Sequence, residues 1–300
     1  MTDGLLTPIE GPVFDIARPV LERLPAYARR NAGALSNSQW ARVVDQARPA
    51  IVRAGFPPHE IPFLKRIPAN PERLITNILA DLARQGLVAG PDAAPTSGHM
   101  PGFNHGGRTT FIYPEEGALL ERLVASLGPR RTIFLGSYYG YWASFAVPNI
   151  VAGVGRAILV DPDPAVARIA QANFSAQPEV EVVCDTAERY LSQCADTFDL
   201  VVLDAELPRD HPDPALRGKG LYCRLLQAVL PHLRTGAVLV AHNILFNDQT
   251  GDPFFDEVIA RNRTELSAFM ELAKNAFGFV EYQTTEGVGI GQLRSKASSA

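Results

Sequence analysis

The chain has 300 residues, of which 46% are hydrophobic and 20% are charged, a composition typical of an ordinary folded protein. Its formal net charge of −4 argues against a nucleic-acid partner, because such partners are usually bound by a basic face. The N-terminus lacks the pattern of a secretory signal, no apolar run is long enough to span a bilayer, and the three cysteines form no CxxC pair. We therefore expect a cytoplasmic protein with reduced thiols and without a membrane partner.

Helical patterns dominate the first part of the chain. Apolar residues recur at helical spacing across residues 14–54, where Pro25 and Pro49 interrupt the pattern, and they predict two helices. Asn70 followed by Pro71 is typical of a helix start and predicts a third helix. The leucine spacing of this helix also suits half of a winged-helix unit, but the missing basic cluster favours ordinary core packing.

A change in composition divides the chain. Residues 89–110 are rich in Gly, Pro, Ser and Thr and predict a connector. We expect residues 1–108, which include most of this connector, to form a helical N-terminal cap or dimerisation segment, and residues 109–300 to form a second, ligand-binding domain. A dimerisation segment would make the protein a homodimer, whereas a cap would shape the binding pocket.

Strands and helices alternate after the connector. Runs such as AILVD, VEVVC and FDLVVLD are short and almost continuously apolar, as expected for strands of a parallel sheet that is covered on both faces. Their alternation with helices predicts an α/β fold with a doubly wound, Rossmann-like sheet, mostly parallel, with an antiparallel strand at the C-terminus. The predicted strands are 131–136, 157–161, 179–184, 198–204, 236–242, 278–283 and 288–293, and the predicted helices are 114–127, 140–152, 164–175, 186–193, 219–233 and 253–277.

The first strand leads into an unusual glycine loop, within TIFLGSYYGYW. Gly136 and Gly140 would let the backbone pass close to a ligand, although a purely structural tight turn explains the two glycines equally well. The loop lacks the third glycine of a dinucleotide-binding motif, and Tyr138 and Tyr139 would crowd a pyrophosphate. These features disfavour a nucleotide-dependent oxidoreductase.

The second strand ends at an acidic residue, Asp161. In an open parallel sheet ligands bind beyond the carboxyl ends of the strands, and a carboxylate there can accept hydrogen bonds from both hydroxyls of a ribose. Together with the glycine loop, Asp161 favours an adenosyl ligand without phosphates, of which S-adenosylmethionine is the common example.

Five segments in fixed order carry a more specific signal: IYPEEGALLERLV, TIFLGSYYGYWASF, AILVDPDPAVARIAQANF, FDLVVLDAE and GAVLVAHNIL. Together they resemble the small metal-dependent O-methyltransferases of the catechol and caffeoyl-CoA type, over about residues 110–294. The resemblance implies a class I methyltransferase that uses S-adenosylmethionine to methylate a phenolic or enolic oxygen of a small, natural-product-like molecule. It also implies the residues that bind the cofactor, namely Gly136, Ser137, Tyr138, Gly140, Asp161, Pro162, Asp185, Thr186 and Asp204.

The resemblance further implies a divalent metal at the ends of the fourth and fifth strands. Its ligands would be Asp204, His242 and Asn243, which are also the catalytic candidates. His242 stands where the family has an aspartate, and a nitrogen ligand shifts the preferred metal from Mg²⁺ toward Mn²⁺, Fe²⁺, Co²⁺ or Zn²⁺. Two alternatives stay open: His242 is a general base without a metal, or it only caps the strand.

Two other positions depart from the family pattern. Phe134 stands where relatives often have a glutamate that contacts the cofactor, and Leu207 stands where they have a catalytic lysine. Lysine catalysis from position 207 is therefore excluded. These departures keep open methylation on carbon or nitrogen, or a reaction other than methylation. Three polar residues follow the fourth strand: His211 is a candidate for substrate contact, and Glu206 and Asp210 are candidates for further carboxylate ligands or for a base.

Overall fold

The computed structural model describes residues 12–90, 103–106, 112–247 and 252–294. Within these ranges the chain starts with five α-helices: α1 (Pro12–Leu21), α2 (Pro25–Asn31), α3 (Asn37–Arg53), α4 (Ile61–Leu64) and α5 (Pro71–Arg84). Most of the predicted connector, residues 91–102 and 107–110, lies outside the described residues. The predicted division of the chain into residues 1–108 and 109–300 therefore stays a prediction.

The prediction of two helices before residue 54 was wrong, because three are present. Pro25 begins α2, where its missing N–H costs no hydrogen bond, and Pro49 lies inside α3 without ending it. A capping box at Ser36 starts α3, and its apolar face is fully buried at Trp40 and Ile51. This packing outweighs the hydrogen bond that Pro49 removes, a balance that a local sequence pattern does not reveal.

The third predicted helix is confirmed as α5. The side chain of Asn70 accepts a hydrogen bond from the backbone N–H of Arg73 at 2.8 Å, and Pro71 occupies the first turn. Its apolar residues, among them Leu79 and Leu82, are buried in the core beside the sheet. The leucine spacing therefore reflects core packing, as favoured from the sequence.

A seven-stranded sheet forms the centre of the fold. Its strands are β1 (Arg131–Leu135), β2 (Arg156–Val160), β3 (Val180–Val183), β4 (Phe198–Leu203), β5 (Leu233–His242), β6 (Val280–Tyr282) and β7 (Val288–Gln292). They lie in the order β3-β2-β1-β4-β5-β7-β6; the first five are parallel, and β7 is antiparallel to both neighbours. The predicted doubly wound, mostly parallel sheet with an antiparallel C-terminal strand is thus confirmed.

Helices cover both faces of this sheet. They are α6 (Pro114–Leu127), α7 (Tyr141–Ala152), α8 (Pro164–Asn173), α9 (Ala187–Gln193), α10 (Leu221–Val229), α11 (Pro253–Glu265) and α12 (Ser267–Phe277). One core cluster joins α5, α6 and α7 to one face, and a second joins α9, α10 and α12 to the other. In the described ranges no helix combines the length and apolar character needed to cross a bilayer.

The predicted helix 253–277 is in fact two helices. The division falls at Leu266, which is fully buried in the second core cluster. The apolar periodicity continues across this point, so the sequence pattern alone predicted one helix.

The N-terminal helices form a cluster of their own that reaches the start of α6. Trp40 is buried there and donates its indole N–H to the carbonyl oxygen of Leu64 at 2.9 Å. Tyr113, just before α6, belongs to the same cluster and donates its hydroxyl to Glu60 Oε2 at 3.2 Å. The cluster therefore brings a buried carboxyl group, that of Glu60, toward the carboxyl end of the sheet.

The turn between β1 and α7 requires an unusual backbone. Gly136, Tyr138 and Gly140 all have positive φ, at 79°, 49° and 82°. A Cβ atom on Gly140 would overlap the ring of Phe174 at the end of α8. Gly140 is thus required both for its left-handed conformation and for the close packing of two segments.

We expect Gly140→Ala to lower the free energy of unfolding more than Gly33→Ala does. Gly33 also has positive φ, at 71°, but nothing lies within 4 Å of a Cβ atom added there. The Gly33→Ala variant therefore has the same kind of backbone strain as Gly140→Ala, without a steric clash. That strain costs about 1–2 kcal/mol, and Gly140→Ala should add a clash of about 1 kcal/mol or more. Urea unfolding of the two variants measures the difference, and equal losses would contradict the role assigned to Phe174.

The stability of the protein should also depend on the ionisation of Glu60. Its side chain is buried, and burial raises its pKa to about 7 despite the opposing hydrogen bond from Tyr113. The unfolded chain loses this proton near its ordinary pKa of 4.5, so stability should fall as pH rises from about 4.5 to about 7 and then level off.

Glu60→Gln removes this ionisation while keeping an oxygen for Tyr113. We expect the variant to melt at a higher temperature than the wild type at about pH 8 and at a similar temperature at about pH 4.5, since only the wild type must bury a charge at the higher pH. Glu271→Gln, at an exposed position on α12, is the control and should melt like the wild type at both pH values. A gain from Glu60→Gln that is equal at both pH values would contradict the assignment.

Candidate functional site

A large cavity lies at the carboxyl ends of the parallel strands, where the topology of an open sheet places ligand sites. Its volume is about 1180 Å³. One end is lined by the residues that follow β1 and β2, and the centre by those that follow β4 and β5. The other end is closed by α11 and by the segment around α4, which contributes His59, Glu60 and Phe63. The N-terminal segment is thus part of the cavity wall.

Asp161, at the end of β2, is fixed against the glycine loop. Its Oδ2 accepts the backbone N–H of Tyr138 at 3.0 Å, and its Oδ1 accepts the backbone N–H of Asp163 at 3.0 Å. Burial raises the pKa of Asp161, and these two hydrogen bonds oppose the rise. A carboxylate has about four acceptor positions, so Asp161 can still bind hydroxyl groups of a ligand in the cavity.

The other predicted cofactor residues divide into two groups. Gly140 and Asp185 do not line the cavity: Gly140 packs against Phe174, and Asp185 lies 3.4 Å from the guanidinium of Arg189. Thr186 lines the cavity, but its hydroxyl caps α9 by accepting the N–H of Arg189. The residues brought together around the cavity are Gly136, Ser137, Tyr138, Asp161, Pro162, Thr186 and Asp204.

A lysine that the sequence did not single out lies between two of the predicted metal ligands. The ammonium of Lys219 is 3.0 Å from Asn243 Oδ1, 3.4 Å from Asp204 Oδ1 and 3.3 Å from the hydroxyl of Tyr222. Burial would lower the pKa of Lys219, but the surrounding Tyr222, Asp204 and Glu206 raise it above its ordinary value. Lys219 therefore stays positively charged at the cavity wall.

His242 lies behind this wall and is 1% exposed. Its Nε2 is 3.0 Å from Glu116 Oε2, and its Nδ1 is 3.4 Å from Asp204 Oδ2. Burial would lower the pKa of His242, but the charges of Asp204 and Glu116 raise it well above 6.5. The ring is thus held between two carboxyl side chains and does not line the cavity. The roles considered for His242 from the sequence, as metal ligand, general base or strand cap, stay predictions.

Glu116 connects His242 to distant parts of the chain. Its Oε1 accepts the hydroxyl of Thr284 and the backbone N–H of Glu286, both at 2.7 Å. The neighbouring Glu115 accepts the backbone N–H of Thr285 at 2.9 Å. The start of α6 is thus tied to the turn between β6 and β7, and both meet the end of β5.

The predicted metal ligands do not fit a divalent metal in this arrangement. The oxygens of Asp204 and Asn243 already face the ammonium of Lys219, and the two ring nitrogens of His242 already face Glu116 and Asp204. Glu116, His242 and Glu286 form another compact group, with ligand atoms within 4.8 Å of one another, and all three side chains are buried.

Sequence reasoning missed Lys219, Glu116 and Glu286. Glu116 lies in the PEEG stretch that carries part of the family resemblance, which was a usable signal. Lys219 lies between two glycines in RGKGLY. A Cβ atom on either glycine would overlap neighbouring atoms, so the glycine pair indicates a close approach of the backbone, which was a weaker signal for this position. Nothing local distinguishes Glu286.

Comparison with known proteins agrees with this fold. Residues 133–244 match a family model described as a methyltransferase domain. Over 166 residues the chain is 28% identical to catechol O-methyltransferase B of Danio rerio, and the alignment covers 52% of this chain and 57% of that protein. The chain spans 57 to 66% of the length of the curated relatives it matches.

Similar solved structures include an O-methyltransferase from Bacillus cereus in complex with S-adenosylhomocysteine, with a TM-score of 0.46 and 19% identity over 74% of this chain and 91% of that chain. Another is the O-methyltransferase TomG from Streptomyces achromogenes in complex with S-adenosylmethionine, with a TM-score of 0.47 and 17% identity over 74% of this chain and 90% of that chain.

Residues 133–244 are thus similar to a methyltransferase domain, and this match, together with the catechol O-methyltransferase relative, confirms the predicted resemblance to class I S-adenosylmethionine-dependent O-methyltransferases.

Proposed function

We propose that the protein transfers the methyl group of S-adenosylmethionine to an oxygen of a small phenolic or enolic molecule. The observation that carries the proposal is the Asp161 carboxylate, held by two backbone N–H groups at one end of a cavity whose centre contains Asp204 and Lys219. This arrangement provides one place for a ribose and another for an acceptor oxygen. The names of the relatives support the same reaction class.

The cofactor end of the cavity suits an adenosyl group without phosphates. The rings of Tyr138 and Tyr139 lie 4.0 Å apart and fill the loop where a pyrophosphate would need space. The hydroxyl of Ser137 is buried in the cavity wall and has no hydrogen-bond partner among the described residues. Asp161 would accept the ribose hydroxyls, and Ser137 would bind a polar group of the methionine part.

The acceptor end is formed partly by the N-terminal segment. Phe63 and Phe254 meet edge to face at 5.6 Å, and both line the cavity. Their rings offer an apolar wall for an aromatic acceptor. We therefore propose that residues 1–108 act as a cap over the acceptor. A homodimer, a cytoplasmic location and the absence of a nucleic-acid partner stay predictions from the sequence.

When bound, S-adenosylmethionine supplies a methyl group on a positively charged sulfur. The acceptor oxygen forms a bond to the methyl carbon as the carbon–sulfur bond breaks, the electron pair of that bond goes to sulfur, and the hydroxyl proton passes to water. The residues of this chain align the two reactants and stabilise charge, which is most of what such a displacement requires. Lys219 is the positive group nearest to Asp204 on the cavity wall.

A second candidate is methylation of an amine nitrogen. Three carboxyl side chains, those of Glu60, Glu206 and Glu257, also line the cavity and could bind a cationic acceptor. An assay that measures S-adenosylhomocysteine release with phenols and with matched amines decides between the two acceptor classes.

We expect Asp161→Ala to weaken S-adenosylhomocysteine binding by a factor of about 100 or more, because two charge-assisted hydrogen bonds to the ribose are lost. Titration calorimetry measures the dissociation constant, and thermal unfolding verifies that the variant is folded. Asp161→Asn keeps the shape of the side chain and should show a smaller loss. Glu271→Ala, at an exposed position on α12, is the control. An unchanged dissociation constant in Asp161→Ala would remove the basis of the cofactor assignment.

A further inference from the structure

We propose that the ammonium of Lys219 occupies the place between Asp204 and Asn243 that a divalent metal would otherwise take, and that it binds the acceptor oxygen during methyl transfer. The part of this proposal that concerns the acceptor rests on the proposed function. The part that concerns the metal site stands on the contacts of Lys219 alone.

The contacts of Lys219 are those of a bound cation. Its ammonium faces one carboxylate oxygen, one amide oxygen and one hydroxyl, at 3.0 to 3.4 Å. The residue is 7% exposed. Asp204 and Asn243 end neighbouring parallel strands, so their oxygens converge on one point, and Lys219 fills it.

The backbone around Lys219 holds the side chain in this position. Leu207 and Gly218 exchange two backbone hydrogen bonds, at 3.1 and 3.0 Å, which return the chain after β4 to the cavity wall. The backbone N–H of Lys219 donates to Glu265 Oε2 at 2.9 Å. Lys219 is therefore a fixed part of the wall, although it lies twelve residues after Leu207 in the chain.

The charges around Asp204 also match a metal-free site. One of its oxygens faces Lys219 and the other faces His242, so both oxygens already have a side-chain partner. A divalent ion added here would lie beside the ammonium of Lys219, and their repulsion would oppose its binding. Displacing Lys219 would also leave its ammonium buried without its partners, which is costly.

The position of Lys219 has a consequence for the acceptor. Lys219 and Asp204 line the cavity, whereas His242 does not. An ammonium attracts a phenolate oxygen and thereby favours loss of the hydroxyl proton to water. A metal can bind two adjacent hydroxyls. The three N–H groups of the ammonium already face Asp204, Asn243 and Tyr222, so an acceptor oxygen must share one N–H with a present partner or replace that partner, and only one oxygen is engaged. Phenols with a single hydroxyl should therefore be as acceptable as catechols.

Binding of Mn²⁺ to the full-length protein tests the metal-site part without any methyl transfer. Electron paramagnetic resonance measures free and bound Mn²⁺, with and without S-adenosylhomocysteine. We expect no Mn²⁺ bound at this site in the wild type and an affinity higher by about tenfold or more in Lys219→Ala, in which the donors are open. Lys219→Met fills the same space without the charge and should bind no more Mn²⁺ than the wild type does.

Two results would overturn this part. One is a wild-type protein that binds Mn²⁺ and loses it on Asp204→Asn. The other is a folded Lys219→Ala variant that binds Mn²⁺ no better than the wild type, because Lys219 would then not compete for the donors.

Activity tests the part that concerns the acceptor. We expect wild-type release of S-adenosylhomocysteine with a phenol to be unchanged by EDTA, and Lys219→Ala to lose about 100-fold in kcat/KM. Added ethylammonium should partly restore Lys219→Ala but not Lys219→Met, because only the first variant leaves room for it. Lys274→Ala, at an exposed lysine on α12, is the control.

Two results would overturn the role of Lys219 at the acceptor. One is full activity of Lys219→Ala in EDTA, and the other is a wild-type activity that is abolished by EDTA and restored by Mn²⁺. If no acceptor is methylated and S-adenosylhomocysteine does not bind, the proposed function fails, while the Mn²⁺ titration still decides the metal-site part.

Discussion

The arrangement of the whole site depends on the carboxylate of Asp204, which lies between the side chains of Lys219 and His242. Lys219 faces its Oδ1 and His242 faces its Oδ2, each at 3.4 Å. Burial would raise the pKa of Asp204, but His242 and Lys219 outweigh that effect and lower it. The carboxylate is therefore ionised, and its contacts with Lys219 and His242 stabilise it.

The contacts that lead from Lys219 through Asp204 and His242 also link separate parts of the fold. His242 ends β5, and its Nε2 meets Glu116 at the start of α6. Glu116 in turn accepts hydrogen bonds from Thr284 and Glu286 in the turn between β6 and β7. Burial raises the pKa of Glu286 well above its ordinary value, which favours its neutral form in this buried cluster. The same contacts that set the charge of the cavity wall thus hold the sheet, α6 and the C-terminal hairpin together.

The sequence predicted the architecture well because each buried strand is a short apolar run that ends at a polar residue. Asp161, Asp204 and Asn243 could be singled out for that reason, and all three lie at the cavity. Lys219 could not, because its position depends on the hydrogen bonds between Leu207 and Gly218 and on Glu265, which are formed only in the fold. In the role we propose for it, Lys219 contacts the site from a position that no motif at a fixed spacing describes. The state of His242 likewise depends on Glu116, which lies 126 residues away in the chain.

The most direct test of the account is a crystal structure of the protein with S-adenosylhomocysteine, grown in Mn²⁺ and measured at the manganese absorption edge. The account predicts the Lys219 ammonium in contact with Asp204 and Asn243, and no anomalous peak between these two side chains. An anomalous peak at that point, with Lys219 turned away from Asp204, would contradict it.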